Sequence, residues 1–100
     1  MVQGEQTQVI QPLKSWKIKD HALFQMGRRD IKREMVDSVL RNPEQAKEIK
    51  TGRVVYQRRF RLGDPPKTYL LRVFADVDRS PAEVVTVYKT SRMEKYWEDL

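Results

Sequence analysis

Arg53-Val54-Val55-Tyr56-Gln57-Arg58-Arg59-Phe60-Arg61-Leu62-Gly63-Asp64-Pro65-Pro66-Lys67-Thr68-Tyr69-Leu70-Leu71-Arg72-Val73-Phe74 is the stretch that decides the fold. Val54, Tyr56 and Phe60 mark one face of an alternating strand, and Arg53, Val55, Gln57, Arg59 and Arg61 mark the other. Arg58 falls at the apolar parity, which requires an exposed strand end, a bulge, or a guanidinium that snorkels or pairs. Gly63 to Pro66 reads as a turn and Thr68 to Phe74 as a central strand. Asp76 to Pro81 makes a second turn, after which Val84-Val85-Thr86-Val87-Tyr88-Lys89-Thr90 returns as a β-branched and aromatic strand. Short turns between successive strands predict an antiparallel meander.

Working outward, Ser15-Trp16-Lys17-Ile18-Lys19 alternates and reads as a short edge strand or an extended lead-in to a helix. Asp20 is the expected N-cap of a helix over His21 to Arg29, with Asp30 in the left-handed position that follows its end. Ile31, Met35, Val36, Val39 and Leu40 mark a second amphipathic helix ended by Asn42-Pro43, with a single bent helix as the competing arrangement. Ser91, three residues before Glu94, is the expected cap of a final helical segment carrying Met93, Tyr96, Trp97 and Leu100. The sum is an α+β fold: N-terminal helices packed on a three- or four-stranded antiparallel sheet, with a short C-terminal helix. One domain is expected over residues 13–100, after a polar segment, residues 1–12, read as flexible.

A chain of 100 residues with 39% hydrophobic content supports one modest core. It has no Cys and a single His, and Asp64, Asp76 and Asp78 sit in turns, so neither a disulfide nor a metal site is expected. The four glycines never reach the spacing of a dinucleotide or phosphate-binding loop, so no cofactor is expected either. No apolar run approaches the ~18 residues of a membrane span, and the polar start Met1-Val2-Gln3-Gly4-Glu5 leads to the expectation of a cytoplasmic location.

The net charge of +6 is unevenly placed. Residues 1–52 hold ten basic and seven acidic side chains, residues 53–72 hold six and one, and residues 73–100 hold four and six. Arg53, Arg58, Arg59 and Arg61 lie in one stretch free of acids, with Arg72 on the next strand. Arginine in this concentration suits bidentate phosphate contacts, which makes Arg53, Arg59, Arg61 and Arg72 candidate nucleic-acid-binding residues. A solvated face or a protein partner accounts for the same charge.

The order His21-Ala22, Met26, Arg29, Ile31, then Asn42-Pro43-Glu44, Gly52-Arg53-Val54-Val55-Tyr56 and Thr86-Val87-Tyr88-Lys89-Thr90-Ser91 resembles a widespread domain family of unknown function. Its small members look like relatives of the RelE and BrnT toxin-like ribonucleases. The resemblance covers roughly residues 16–98 and implies a RelE/barnase-like domain whose groove binds or processes RNA, held in check by an inhibitor protein. Members usually read His-Ala-x-Glu-Arg-Met and then Arg-Gly-Ile. Here Phe24-Gln25 replaces Glu-Arg, which removes an electrostatic group, and Asp30 replaces Gly, which asks more of a left-handed turn.

Metal-independent RNA cleavage needs proton-transfer groups and cations around a phosphate. His21 and Tyr88 are the candidate proton-transfer groups, Arg29 and Arg58 the candidate phosphate clamps, and Thr86 the positioning hydroxyl. Each has a plainer role: a first-turn His caps or pairs with Asp20, and Thr86 and Thr90 are ordinary strand formers. Two alternatives stand beside a toxin-like endoribonuclease. One is a noncatalytic nucleic-acid-binding module; the other is a protein-binding accessory domain that exposes Tyr96, Trp97 and Leu100.

Overall fold

The computed structural model describes residues 12–97. The expected flexible segment lies outside these residues except for Pro12, and so does Leu100. In chain order the described elements are β1 (Trp16–Ile18), α1 (Asp20–Arg29), α2 (Arg33–Arg41), β2 (Gln45–Lys50), β3 (Arg53–Leu62), β4 (Lys67–Asp76), β5 (Ala82–Thr90) and α3 (Met93–Tyr96). The strands form one sheet in the order β1-β5-β4-β3-β2.

The α+β class and the meander of β3, β4 and β5 follow the sequence expectation. The sheet itself is wider and mixed, with five strands among the described residues in place of three or four antiparallel ones. β1 pairs parallel to β5, Trp16 opposite Ala82 and Ile18 opposite Val84. β2 reads Gln-Ala-Lys-Glu-Ile-Lys, a sequence without β-branched alternation, and its last four residues are exposed. It is a strand because β3 supplies a ladder, from Gln45 opposite Gln57 to Lys50 opposite Arg53.

α1 buries Ala22 and Met26, and α2 buries Val36, Val39 and Leu40. These side chains close over Tyr56, Leu71, Val73, Ala75, Val84 and Val87, giving a core on the helix side of the sheet. Val84 and Val87 both reach that core although strict alternation would separate them. The register explains it: Phe74 pairs with Thr86 while Ala75 pairs with Val84, so Val85 is an inserted bulge residue that resets the parity.

The two helices are separate, and Asp30 divides them. Its backbone is left-handed (φ 53°, ψ 49°) and its N–H donates to the Met26 carbonyl. Asp20 is not the cap of α1; Lys19 is, with no side-chain bond. The reason is that the Lys19 N–H still donates to the Val84 carbonyl, so the chain leaves the ladder one residue later than the sequence suggested and Asp20 is already in the first turn. Nor does the Ser91 side chain cap α3, whose cap is Arg92; the Arg92 N–H is taken by the Thr90 hydroxyl at 3.0 Å. Between β2 and β3, Gly52 has φ 83°, a left-handed backbone that favours glycine, and a Cβ there would also displace the exposed Asp78 carboxylate, 2.6 Å away.

Asp30→Gly is expected to stabilise the fold by about 0.5–1 kcal/mol in urea unfolding, because it relieves the left-handed cost and removes a carboxylate from a helix C-terminus. The Lys32 ion pair lost with it is exposed and contributes little. A loss of stability would show that the side chain, not the backbone, secures this turn.

Candidate functional site

The face of the sheet away from α1 and α2 carries a polar row across four strands: Gln45 opposite Gln57, Gln57 opposite Arg72, and Arg72 opposite Tyr88. Gln57 is only 4% exposed, so its amide must be satisfied internally. Its Nε2 donates to Gln45 Oε1 at 2.6 Å and to the Tyr96 carbonyl at 3.1 Å, while its Oε1 accepts from Arg72 Nε at 3.0 Å. Through that carbonyl the row holds α3 against the sheet. The Arg72 guanidinium lies 4.4 Å from the Tyr96 ring centre, and the Arg59 guanidinium 4.1 Å from that of Trp97. Tyr96 and Trp97, expected as an exposed apolar patch, are therefore half-buried on arginines.

A second set of groups gathers at the margin of this face, where α1 runs beside β5. Beyond Val84 no described strand pairs with that side of β5. Gln25 serves it instead, its Oε1 accepting the Val87 N–H at 3.0 Å. One turn on, the Arg29 guanidinium sits 5.9 Å from the Tyr88 ring centre. The Tyr96 ring meets Tyr88 edge-on at 5.8 Å and 75°. Hydrogen bonding to the Tyr96 and Thr90 side chains lowers the Tyr88 phenol below its ordinary value against a smaller opposing effect of desolvation, with Lys95 and Arg29 adding their positive charge. Arg29 and Lys95 are exposed, and no carboxylate among the described residues pairs with either. Two phenols and the Thr90 hydroxyl bordered by Arg29, Arg72 and Lys95 form an anion-accepting corner with a proton to give.

The structure thus joins Arg29 and Tyr88, with Thr86, Tyr88 and Thr90 on one face as alternation predicts and Arg72 next to Tyr88 in register. His21 is exposed on the same stripe of α1 as Gln25 and Arg29, two turns or about 12 Å along the axis from Arg29. Arg58 is on the opposite face from Tyr88, opposite Leu71, where its guanidinium donates to the Asn42 carbonyl at 2.9 Å beyond the end of α2. That pairing answers the parity question the sequence raised.

The expected arginine stripe shares one face, but its members differ. Arg53 holds Asp76 with two bonds, 2.6 and 3.0 Å, and Arg59 holds Glu44 with two more, 3.1 and 3.0 Å, while Glu44 also accepts the Arg59 N–H. Arg61 is exposed and reaches only the Thr68 hydroxyl at 3.5 Å. The Arg59 bonds hold the Glu44 carboxyl below its ordinary value, and the Arg53 bonds do the same for Asp76. Sequence reasoning missed Gln25, Gln57 and Lys95 as site residues, and it assigned Tyr96 to an exposed apolar patch rather than to the neighbourhood of Tyr88. For Gln25 the signal was present, since His21, Gln25 and Arg29 recur every fourth residue. Among the described residues no group of three or more His, Asp or Glu side chains is placed to hold a metal, and no helix is long and apolar enough to cross a membrane.

A family model described as a domain of unknown function, DUF4258, matches residues 18–89. The chain belongs to the DUF4258 family. No curated protein and no solved structure gives a significant match. The DUF4258 match takes in the α1 stripe, Thr86 and Tyr88, whereas α3 with Lys95 and Tyr96 lies beyond it. In this DUF4258 chain the corner around Tyr88 therefore joins residues inside the matched span to residues outside it.

Gln57→Ala is expected to cost about 1–3 kcal/mol in urea unfolding, because it strips a buried acceptor from Arg72 and the donor that ties down Tyr96. An unchanged midpoint would show that α3 is held by stacking alone. Glu44 has a depressed folded pKa, so its contribution is complete above the ordinary carboxylate value and is lost as pH falls through the folded one. Glu44→Gln should accordingly flatten the decline of stability as pH falls below about 4.5; parallel acid titrations of variant and parent would overturn the assignment.

Proposed function

We propose that this domain is a toxin-like RNA-binding protein of RelE/barnase-like build that seats a phosphodiester in the corner formed by Tyr88, Tyr96, Arg29 and Lys95. The observation that carries this reading is the set of cations around the phenol pair: Arg29 against Tyr88, and Arg72 and Lys95 against Tyr96. Arg29 and Lys95 remain exposed, where a phosphate oxygen can meet them. Arg53 and Arg59 belong to the scaffold in this reading, because their guanidiniums are committed to Asp76 and Glu44. The same cationic margin is the surface an acidic inhibitor protein would cover.

A second reading, metal-independent cleavage, draws on the acidified Tyr88 hydroxyl. The RNA 2′-hydroxyl loses its proton and its oxygen attacks the adjacent phosphorus. The bond from phosphorus to the 5′-oxygen breaks, and that oxygen takes the phenol proton, leaving a 2′,3′-cyclic phosphate and a 5′-hydroxyl. Arg29 and Lys95 stabilise the charge gathered on the phosphoryl oxygens. His21, two turns up α1 from Arg29, stands beyond hydrogen-bond reach of a 2′-hydroxyl at that phosphate, so in this scheme the 2′-hydroxyl proton passes to solvent water and His21 takes no part in the transfer.

Single-stranded RNA binding in EDTA should weaken steeply with salt and fall about tenfold in Arg29→Ala. Tyr88→Phe should keep binding within about twofold while any cleavage drops by roughly 10² or more. Absence of RNA binding at low salt, with and without ribosomes, would overturn the function; cleavage indifferent to Tyr88→Phe would overturn the second reading alone.

A further inference from the structure

The central basic block does not deliver its charge to the Tyr88 corner alone. With Arg53 and Arg59 paired to carboxylates, and Arg72 bonded to Gln57 beneath Tyr96, the block's other cations are Arg58, Arg61 and Lys67. They lie toward the far end of the β3–β4 hairpin. The register places Arg58, Phe60 and Leu62 on the helix-side face of β3, opposite Leu71, Tyr69 and Lys67 of β4, with Lys89 of β5 opposite Leu71 in turn. Tyr69 is half-buried there, and its ring centre has the Lys67 ammonium at 5.9 Å and the Lys89 ammonium at 5.6 Å.

Two ammonium groups held around one neutral ring repel each other unless an anion joins them. Among the described residues no carboxylate forms an ion pair with Arg58, Arg61, Lys67 or Lys89. Arg58 bonds a neutral carbonyl and Arg61 a neutral hydroxyl. Glu44, whose carboxyl feels the Arg58 charge, is spent on Arg59, and Asp64 is in the exposed hairpin turn. An aromatic ring with cations on its margins is the arrangement that holds a single-stranded nucleic acid, its base against the ring and its phosphates on the ammoniums. An acidic peptide would supply charge without the planar group.

The geometry points to a second RNA contact at Tyr69, Lys67 and Lys89, on the face of the sheet opposite Tyr88. This rests on the RNA reading above and extends it. Tyr88 and Lys89 are neighbours that project to opposite faces of β5, on a margin that no described strand covers beyond Val84. A strand seated at Tyr88 reaches the second contact by passing over that margin. Arg58 lies on the same face as Tyr69, across Leu71 from Lys89, whereas Arg61 projects to the Tyr88 face.

The test uses the full chain, single-stranded RNAs of two and of twelve nucleotides, a twelve-nucleotide abasic strand, and polyglutamate. The double variant Lys67→Gln, Lys89→Gln should bind the dinucleotide as the parent does. It should bind the longer RNA about tenfold more weakly, with a salt dependence shallower by the release of about two phosphate contacts, near 0.7 each for single strands. Tyr69→Leu should bring longer RNA down to the affinity of the abasic strand. Unchanged affinity of the double variant for long RNA, with Arg29→Ala still impaired, would overturn the second contact and leave the Tyr88 reading intact. The reverse pattern would uphold the second contact and overturn the Tyr88 site. Equal binding of RNA and abasic strand by the parent, tighter binding of polyglutamate, or no binding of any RNA would overturn the inference; thermal melts of each variant exclude unfolding as the cause.

Discussion

The register between β3 and β4 is the constraint on which the rest depends. It runs without interruption from Arg53 opposite Asp76 to Leu62 opposite Lys67. Because side chains alternate with a period of two, this one alignment sends Tyr56, Phe60, Leu71 and Val73 toward the helices and Val55, Gln57, Leu70 and Arg72 toward α3. A slip of β4 by one residue would present Arg72 to the apolar core and Leu71 and Val73 to the polar side. The end pairs help to pin it: Arg53 and Asp76 are bonded across the strands, and the Gly63–Pro66 turn closes the other end.

The polar row that this register creates explains how a helix as short as α3 keeps its place. A single turn repays little of its own nucleation cost. What orders Met93–Tyr96 is tertiary: the Tyr96 carbonyl on Gln57, the Tyr96 ring on Arg72, and Trp97 on Arg59. Those contacts bring Lys95 and the Tyr96 hydroxyl to the margin where Arg29 meets Tyr88. The corner is thus assembled from the C-terminal half of α1, the end of β5 and a segment anchored by a buried glutamine.

Much of this architecture was legible residue by residue. Alternation identified β3, β4 and β5, apolar periodicity identified α2, and Asp30 announced its left-handed turn through its position after Arg29. What escaped depends on partners distant in sequence. β2 has no strand signature of its own and exists because β3 offers it a ladder. The parallel pairing of β1 with β5, which carries Lys19 past the expected cap, joins segments more than sixty residues apart. The bulge at Val85 is silent in a run of β-branched residues, where every parity looks apolar. At the site, the shared face of Thr86, Tyr88 and Thr90 was readable from alternation, whereas the contact of Arg29 with Tyr88 depends on how α1 lies beside β5. The role of Gln25 was not readable, because its acceptor serves a β5 amide 62 residues away.

Charge shows the same division between sequence and space. The block of residues 53–72 is the most basic part of the chain, yet its two most firmly held arginines are neutralised by acids from outside it, Glu44 and Asp76. Counting along the chain therefore overstates the field over the Arg53 and Arg59 stripe. It understates the field where Lys89, Arg29 and Lys95, drawn from three other elements, approach aromatic rings without carboxylate partners among the described residues. A phosphate backbone responds to the charge that survives pairing, since an arginine already bridged to a carboxylate has little left to exchange for a counterion. Among the described residues, these aromatic-bound cations without carboxylate partners gather at the Tyr88 margin and the Tyr69 hairpin, on opposite faces of one sheet and joined by the adjacent residues Tyr88 and Lys89.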